Sequence, residues 1–180
     1  MPPYPIPVIG FIAPSGTGKT TLLRQLVPIL KRRGWRVGYL KHAHHTFDLD
    51  RPGKDSFEVR AAGADQVLLA STQRWALQVE NRTPGTDPDL GELLSRFAFD
   101  QLDVVLAEGF KYADYPKIEI HRTAVGEPPL YPRDPAIIAV VTDADLPADD
   151  HPPPRLPLDD PDAVAEFIVT WLALQGSALR

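Results

Sequence analysis

The chain has 180 residues, 43% hydrophobic and 24% charged, and 19 Lys and Arg against 24 Asp and Glu give a net charge of −5. That length and balance suit one compact soluble domain over residues 1–180 and leave little room for a second core. Residues 1–60 carry 10 basic and 4 acidic side chains, whereas residues 61–180 carry 9 and 20. General nucleic-acid binding, which needs a broad basic face, is therefore excluded, while the basic first third can still hold one small polyanion. With no cysteine in the chain, disulfides, thiolate metal sites and cysteine nucleophiles are all removed. No apolar run approaches the roughly 18 residues that span a bilayer, and Met1-Pro2-Pro3-Tyr4-Pro5 lacks the basic start and apolar stretch of a signal peptide. A cytoplasmic protein without a membrane partner is expected. Of the 20 prolines, 13 fall in three clusters, read as an N-terminal tail over 1–7, a surface loop near Pro128–Pro135 and a second, proline-rich surface loop over 147–157.

In chain order, the continuous apolar run Val8–Ala13 predicts a strand buried on both faces. A glycine-rich turn follows, and then a helix from about Gly18 to Arg33, with Leu22, Leu23, Leu26, Ile29 and Leu30 at helical spacing and Gly34 as its stop. Pro28 inside that helix predicts a kink. Apolar runs at Val37–Leu40, Val67–Ala70, Val104–Ala107 and Ile137–Val141 predict further strands, with helical patterns around Ser56–Ala62, Asp89–Phe99 and Pro161–Leu174. This alternation predicts a mostly parallel α/β sheet with helices on both faces. Trp75–Val79 follows Val67–Ala70 after only four residues, too few for a crossover, so these two strands are expected to be antiparallel. Lys117–Arg122 alternates polar and apolar residues, which predicts a strand with one wet face. In the last helix Val164, Phe167, Ile168, Trp171 and Leu172 form a stripe expected in the core, with Asp159 or Asp160 as cap. Trp75 and Leu77 are expected to fill a core or a dimer face.

Ala13-Pro14-Ser15-Gly16-Thr17-Gly18-Lys19-Thr20 matches a phosphate-binding loop with Ala in place of the first Gly, between a buried strand and a helix as the motif requires. Gly16 and Gly18 let backbone N–H groups turn inward around phosphate oxygens, and the helix N-terminus adds its positive dipole end. Lys19 is placed to reach the β- and γ-phosphates and Thr20 to ligate Mg2+. The alternative is an ordinary glycine turn. A second acidic group is needed at a neighbouring strand end, and Glu108, followed by Gly109, supplies it after the run Val104–Ala107, unless it is only a solvated strand terminus.

Between Lys41 and Ser56, three of the five histidines (His42, His44, His45) and three carboxylates (Asp48, Asp50, Asp55) fall within 14 residues. They read as transition-metal ligands, as a switch-like loop that positions water and Mg2+ at the γ-phosphate, or as a plain polar loop. Thr142-Asp143-Ala144-Asp145 follows a strand with Thr and Asp at the offsets of a guanine-reading motif, but with Asp143 in place of Lys. Asp145 is thus either a base reader or a solvated turn residue, and ATP competes with GTP as the nucleotide. Arg51, Arg60 and Arg74 are candidates, by position only, for the positive charge that speeds phosphoryl transfer.

Taken together, Ser15-Gly16-Thr17-Gly18-Lys19-Thr20-Thr21-Leu22, Lys41-His42-x-His44-His45 with Phe47-Asp48-x-Asp50-x-Pro52-Gly53-Lys54-Asp55-Ser56, Gln73-Arg74-Trp75-Ala76-Leu77 and Glu108-Gly109-Phe110-Lys111 resemble the molybdopterin-guanine dinucleotide biosynthesis protein B (MobB) family. The resemblance runs in order from about Ile9 to Val141. It implies a three-layer P-loop NTPase fold, with GTP and Mg2+ as cofactors and weak GTP hydrolysis. It also implies a homodimer acting as an adapter beside the molybdopterin guanylyltransferase, the enzyme that joins GMP to molybdopterin. Carried over by residue, Ser15 and Gly16 through Thr21 lie on the phosphates, Glu108 and Gly109 near Mg2+ and the γ-phosphate, and Asp48, Asp50 and Asp55 become candidates for metal or water contacts. Lys19, Glu108 and Asp50 are the catalytic candidates, and Thr20, Glu108 and Asp48 the metal candidates. A nucleotide-bound scaffold without turnover, a small-molecule kinase and a metallochaperone GTPase are the competing functions, and other molybdenum-cofactor proteins are further candidate partners.

Overall fold

The computed structural model describes residues 4–43, 47–81, 87–146 and 151–177. Two compact units are built from the chain, one from residues 1–42 and 89–180 and the other from residues 43–88.

The larger unit is a six-stranded sheet whose ladders are all parallel. Its strands are β1 (Val8–Ile12), β2 (Val37–Lys41), β5 (Val104–Glu108), β6 (Lys117–His121), β7 (Ile137–Thr142) and β8 (Arg155–Pro157), in the spatial order β2-β5-β1-β6-β7-β8. The predicted layering follows from the strands having no polar face: along β1 and β5 successive residues alternate between two cores, and every one of them is buried. Ile9, Phe11, Val104, Leu106, Ile118, Ile120, Ala139 and Val141 face α1 (Lys19–Arg32) and α4 (Pro161–Ser177). Leu22, Leu26 and Leu30 of α1 and Val164, Ile168 and Leu172 of α4 complete that core. Val8, Val105 and Ala107 point the other way, toward Tyr115 and the short α3 (Leu90–Leu94).

Helix α1 runs unbroken through Pro28, which stands on its exposed side between buried Leu26 and Ile29. The Asp160 carboxylate accepts from the Ala163 N–H at 2.9 Å, so Asp160 is the cap of α4, and the stripe of α4 is core as expected. Arg33, at the C-terminus of α1, donates to Glu166 in the second turn of α4 at 2.6 Å.

Five expectations are corrected. Strand β6 has no wet face: it lies between β1 and β7, and Lys117 and Glu119 are 2% and 1% exposed. The Lys117 ammonium donates to the Lys111 and Ala113 carbonyls at 3.1 and 2.9 Å and pairs with Asp134 at 2.7 Å. Glu119 accepts from the Leu130 and Tyr131 N–H groups at 2.7 and 2.9 Å. The Pro128–Pro135 segment that supplies those groups is accordingly not only surface loop, because Tyr131 is buried within it. The proline-rich stretch ends in the edge strand β8, whose approach to β7 begins with the Val140 N–H donating to the Pro154 carbonyl at 2.9 Å. A proline lacks an N–H but still accepts, and an edge strand needs no more from it. In the N-terminal tail, Tyr4 and Ile6 pack against the second core. The helix expected over Asp89–Phe99 stops at Leu94, and a 3-10 turn follows at Phe99–Gln101.

The smaller unit contains α2 (Asp55–Ala61) and the antiparallel pair β3 (Gln66–Ala70) and β4 (Trp75–Val79), in the predicted orientation. Ser71 closes the hairpin: its hydroxyl donates to the Arg74 carbonyl and accepts from the Gln73 and Arg74 N–H groups. Leu68, Trp75, Leu77 and Val79 on the two strands are all exposed.

Candidate functional site

The first clue in the sequence, the glycine-rich turn, becomes a loop from Ala13 to Gly18 between β1 and α1 at the carboxyl edge of the sheet. Gly16 and Gly18 have φ of 80° and 95°, the left-handed region in which a side chain is strained, and Gly18 forms the N-cap of α1. No heavy atom lies within 4 Å of where a Gly16 Cβ would stand, so the loop presents open space on that side. Thr17, 1% exposed, ties the loop together by donating its hydroxyl to the Pro14 carbonyl at 3.0 Å. The Lys19 ammonium lies over the loop, donating to the Ala13 carbonyl at 3.3 Å. Burial pushes its pKa down; the Glu108 charge pulls the other way, and Lys41 adds to the lowering. Ser15, Thr20 and Thr21 are exposed around the mouth of the loop.

Glu108 ends β5, the strand next to β1, in register with Phe11 on one side and Lys41 on the other. Its residue is only 7% exposed, yet its carboxylate is well partnered. The Tyr39 hydroxyl donates to it at 2.5 Å and the Lys41 ammonium stands 3.6 Å away. Burial first, and then this bond to Glu108, raise the Tyr39 pKa well above the usual phenol range. Gly109 has φ 93°, and a Cβ on it would stand 2.9 Å from the His42 Cβ, so the position admits only glycine. The next residue, Phe110, keeps a left-handed φ of 51° and stacks on the His42 ring at 4.9 Å between centroids. The Gly109 carbonyl accepts from the Tyr115 hydroxyl at 3.1 Å. His42 thereby packs on the Glu108 loop; His44 and His45 lie outside the described residues.

On the opposite side of the loop, beyond β6, the Arg122 Nε donates to the Thr17 carbonyl at 3.3 Å. Farther along the same edge, Thr142 is buried and its hydroxyl accepts from the Ala144 N–H at 3.1 Å. Asp143 accepts from the Thr123 N–H and hydroxyl at 2.9 and 3.0 Å, and the N–H bond holds its carboxyl below the usual range. The residue standing where a guanine motif has Lys is thus used to join the ends of β6 and β7. Asp145 is exposed and pairs with Arg155 at 3.2 Å.

Asp48, Asp50 and Asp55 belong to the smaller unit. Asp50 accepts from the Ser56 hydroxyl and, at 2.8 Å, from the Arg51 N–H, bonds that lower its pKa. Asp48 pairs with Arg60, which also reaches Glu80 at 3.1 Å and lies over the Phe57 ring. Asp55 stands in the first turn of α2.

The donor set fits a triphosphate with Mg2+. Two left-handed loop glycines, one of them with open space beside it, a lysine and a helix N-terminus stand beside one buried carboxylate on the adjacent strand. Among the described residues no group of three or more His, Asp and Glu converges as a metal cage. Tyr39 and Arg122 are the two residues at this edge that no motif singles out. Tyr39 reads in the sequence as an ordinary strand aromatic. For Arg122 the available signal is a basic residue directly after a strand that ends at the same edge as the phosphate loop.

The family model for molybdopterin guanine dinucleotide synthesis protein B (MobB) matches residues 8–143, which contain the phosphate loop, Glu108 and Arg122. The molybdopterin-guanine dinucleotide biosynthesis adapter protein of Escherichia coli K12 is 45% identical over 173 residues, covering 95% of this chain and 96% of the relative. The protein of the same description from Haemophilus influenzae is 40% identical, covering 93% and 90%. A crystal structure of molybdopterin-guanine biosynthesis protein B superposes with a TM-score of 0.72 at 27% identity, covering 92% of this chain and 99% of that one. With the family model spanning most of the chain and full-length relatives at this identity, the chain belongs to the MobB family.

Proposed function

We propose that the protein is a GTP-binding adapter in molybdopterin-guanine dinucleotide biosynthesis, with slow Mg2+-dependent GTP hydrolysis. The observation that carries this reading is the Ala13–Thr20 loop standing beside the buried Glu108 at the carboxyl edge of a parallel sheet. The relatives named as adapters supply the pathway.

In this reading the N–H groups of Ser15 to Thr21 cradle the phosphates, and the Lys19 ammonium exchanges its bond to the Ala13 carbonyl for phosphate oxygens. Thr20 and Glu108 hold Mg2+, with Asp48 as a further candidate ligand and Asp50 as a candidate for orienting water. Bound Mg2+ supplies neutralisation of charge on the β- and γ-oxygens. Glu108 is held in place for this by Tyr39 and Lys41, and Gly109 carries the chain past it toward the γ-phosphate. Asp145 is the candidate reader of guanine. Slow hydrolysis is supported by two arginines among the described residues: Arg60 is tied to Asp48 and Glu80, and Arg122 meets the loop from the side away from Glu108. A partner that supplies an arginine charge at the γ-phosphate would accelerate turnover.

The partner is the molybdopterin guanylyltransferase, in the cytoplasm, and the protein acts as a homodimer. Support for the dimer comes from the hairpin, where Leu68, Trp75, Leu77 and Val79 remain exposed on a two-stranded sheet of a kind that is marginal without further cover. The test is reconstituted cofactor maturation with wild type and Lys19→Ala. The adapter reading predicts that the variant loses GTP binding and support of maturation together, and maturation that persists without GTP binding would identify a scaffold instead.

A further inference from the structure

The carboxyl edge of the sheet has a fixed order: Glu108 at the end of β5, the phosphate loop after β1, Arg122 after β6 and Thr142–Asp145 at the end of β7. Arg122 is half-buried and is held by its Nε bond to the Thr17 carbonyl. Its Nη2 stands 3.5 Å from where a Cβ on Gly18 would be, so the outer nitrogens lie against the glycine that opens α1. A guanidinium carries five N–H donors, and Thr17 takes only one. The Arg122 charge is felt by its neighbour Asp143, whose carboxylate takes its hydrogen bonds from Thr123 and not from the guanidinium. A cation fixed to a phosphate-binding loop with its outer donors uncommitted is suited to an anion that the loop holds.

This inference rests on the nucleotide reading given above. With the γ-phosphate toward Glu108 and the base toward β7, the strand order brings the inner phosphates past the end of β6. We infer that Arg122 is a nucleotide-binding residue serving the α- and β-phosphates, with the Thr17 carbonyl fixing its guanidinium. An arginine so placed contributes equally to GTP and GDP affinity, whereas one acting only on the transferring phosphoryl group would set GTP apart from GDP or change the hydrolysis rate alone.

The experiment is calorimetric titration of GTP and GDP with Mg2+ into wild type, Arg122→Gln, Arg122→Leu and Arg122→Lys, with single-turnover hydrolysis and unfolding without nucleotide measured alongside. Glutamine places an amide nitrogen where arginine has Nε, so it keeps a donor for Thr17 while removing the charge and the outer nitrogens. The Gln and Leu variants are expected to lose affinity for GTP and GDP by the same factor, about 10-fold or more for the loss of charged hydrogen bonds. Lysine recovers most of that loss, and the Gln variant unfolds at the wild-type temperature. Wild-type affinity in the Gln variant would overturn the inference and leave Arg122 a pin for the loop. Loss for GTP alone, or slowed hydrolysis at unchanged affinity, would overturn it by placing Arg122 on the γ-phosphate. If the wild type binds neither nucleotide the underlying reading fails and this one with it, whereas failure of the Arg122 inference alone leaves wild-type binding intact.

Discussion

Replacing Lys117 by Met keeps most of the side-chain volume and removes the ammonium from the middle of the sheet. All three ammonium protons are used, toward Asp134 at 2.7 Å and the Lys111 and Ala113 carbonyls at 3.1 and 2.9 Å. The Lys117 side chain is 3% exposed and that of Asp134 is 25% exposed, so the substitution leaves a partly wet carboxylate and two poorly hydrated carbonyls. Breaking a fully buried pair costs about 3–5 kcal/mol, and the access of Asp134 to water puts this site at the low end, about 3 kcal/mol. For a chain of this size each kcal/mol lowers the unfolding midpoint by about 2–4 °C, so a fall of roughly 6–12 °C is expected. Thermal unfolding followed by circular dichroism measures it. A fall below about 2 °C would refute the account of Lys117 as the staple between β6 and the segment after Glu108. The same variant should bind GTP more weakly than wild type, because that segment begins at Gly109.

Three further outcomes follow from the geometry. Gly109→Ala forces a side chain into a left-handed position and against the His42 Cβ; it should destabilise by at least about 1–2 kcal/mol in urea unfolding and slow GTP turnover, since the shift begins one residue after Glu108. Burial raises the Glu119 pKa despite its two backbone N–H bonds. The folded state therefore binds that proton more tightly than the unfolded chain, and Glu119 opposes folding increasingly as pH rises from the ordinary glutamate range through its folded value. Measured by urea unfolding across that window, wild type should lose stability relative to Glu119→Gln, and parallel pH profiles would refute this. Trp75→Glu on the exposed hairpin should shift sedimentation toward monomer without lowering the unfolding midpoint, and an unchanged sedimentation coefficient would remove the hairpin from the dimer interface.

The central fold is legible in the sequence because parallel strands buried on both faces need uninterrupted apolar runs, and Val8–Ile12 and Val104–Ala107 have them. Strand β6 misleads for a physical reason. Lys117 and Glu119 alternate with isoleucines as they would on a half-exposed strand, and only the tertiary structure shows Asp134, the 111–113 carbonyls and the Leu130 and Tyr131 N–H groups satisfying them. Strand β8 hides behind three prolines because the last of them, Pro154, can lead into an edge strand by offering only its carbonyl, to the Val140 N–H. At the candidate site, the phosphate loop and Glu108 show through because glycine spacing and a strand-terminal acid are local patterns. Tyr39 and Arg122 do not, because the contacts that define them join residues 69 and 105 positions apart.

The most direct test of the account is calorimetric titration of GTP, GDP and ATP with Mg2+ into the full chain and its Lys19→Ala variant. The account predicts that wild type binds GTP in preference to ATP and that Lys19→Ala weakens GTP binding by about 10-fold or more. Equal GTP affinity in the two proteins, or no binding by the wild type, would contradict it.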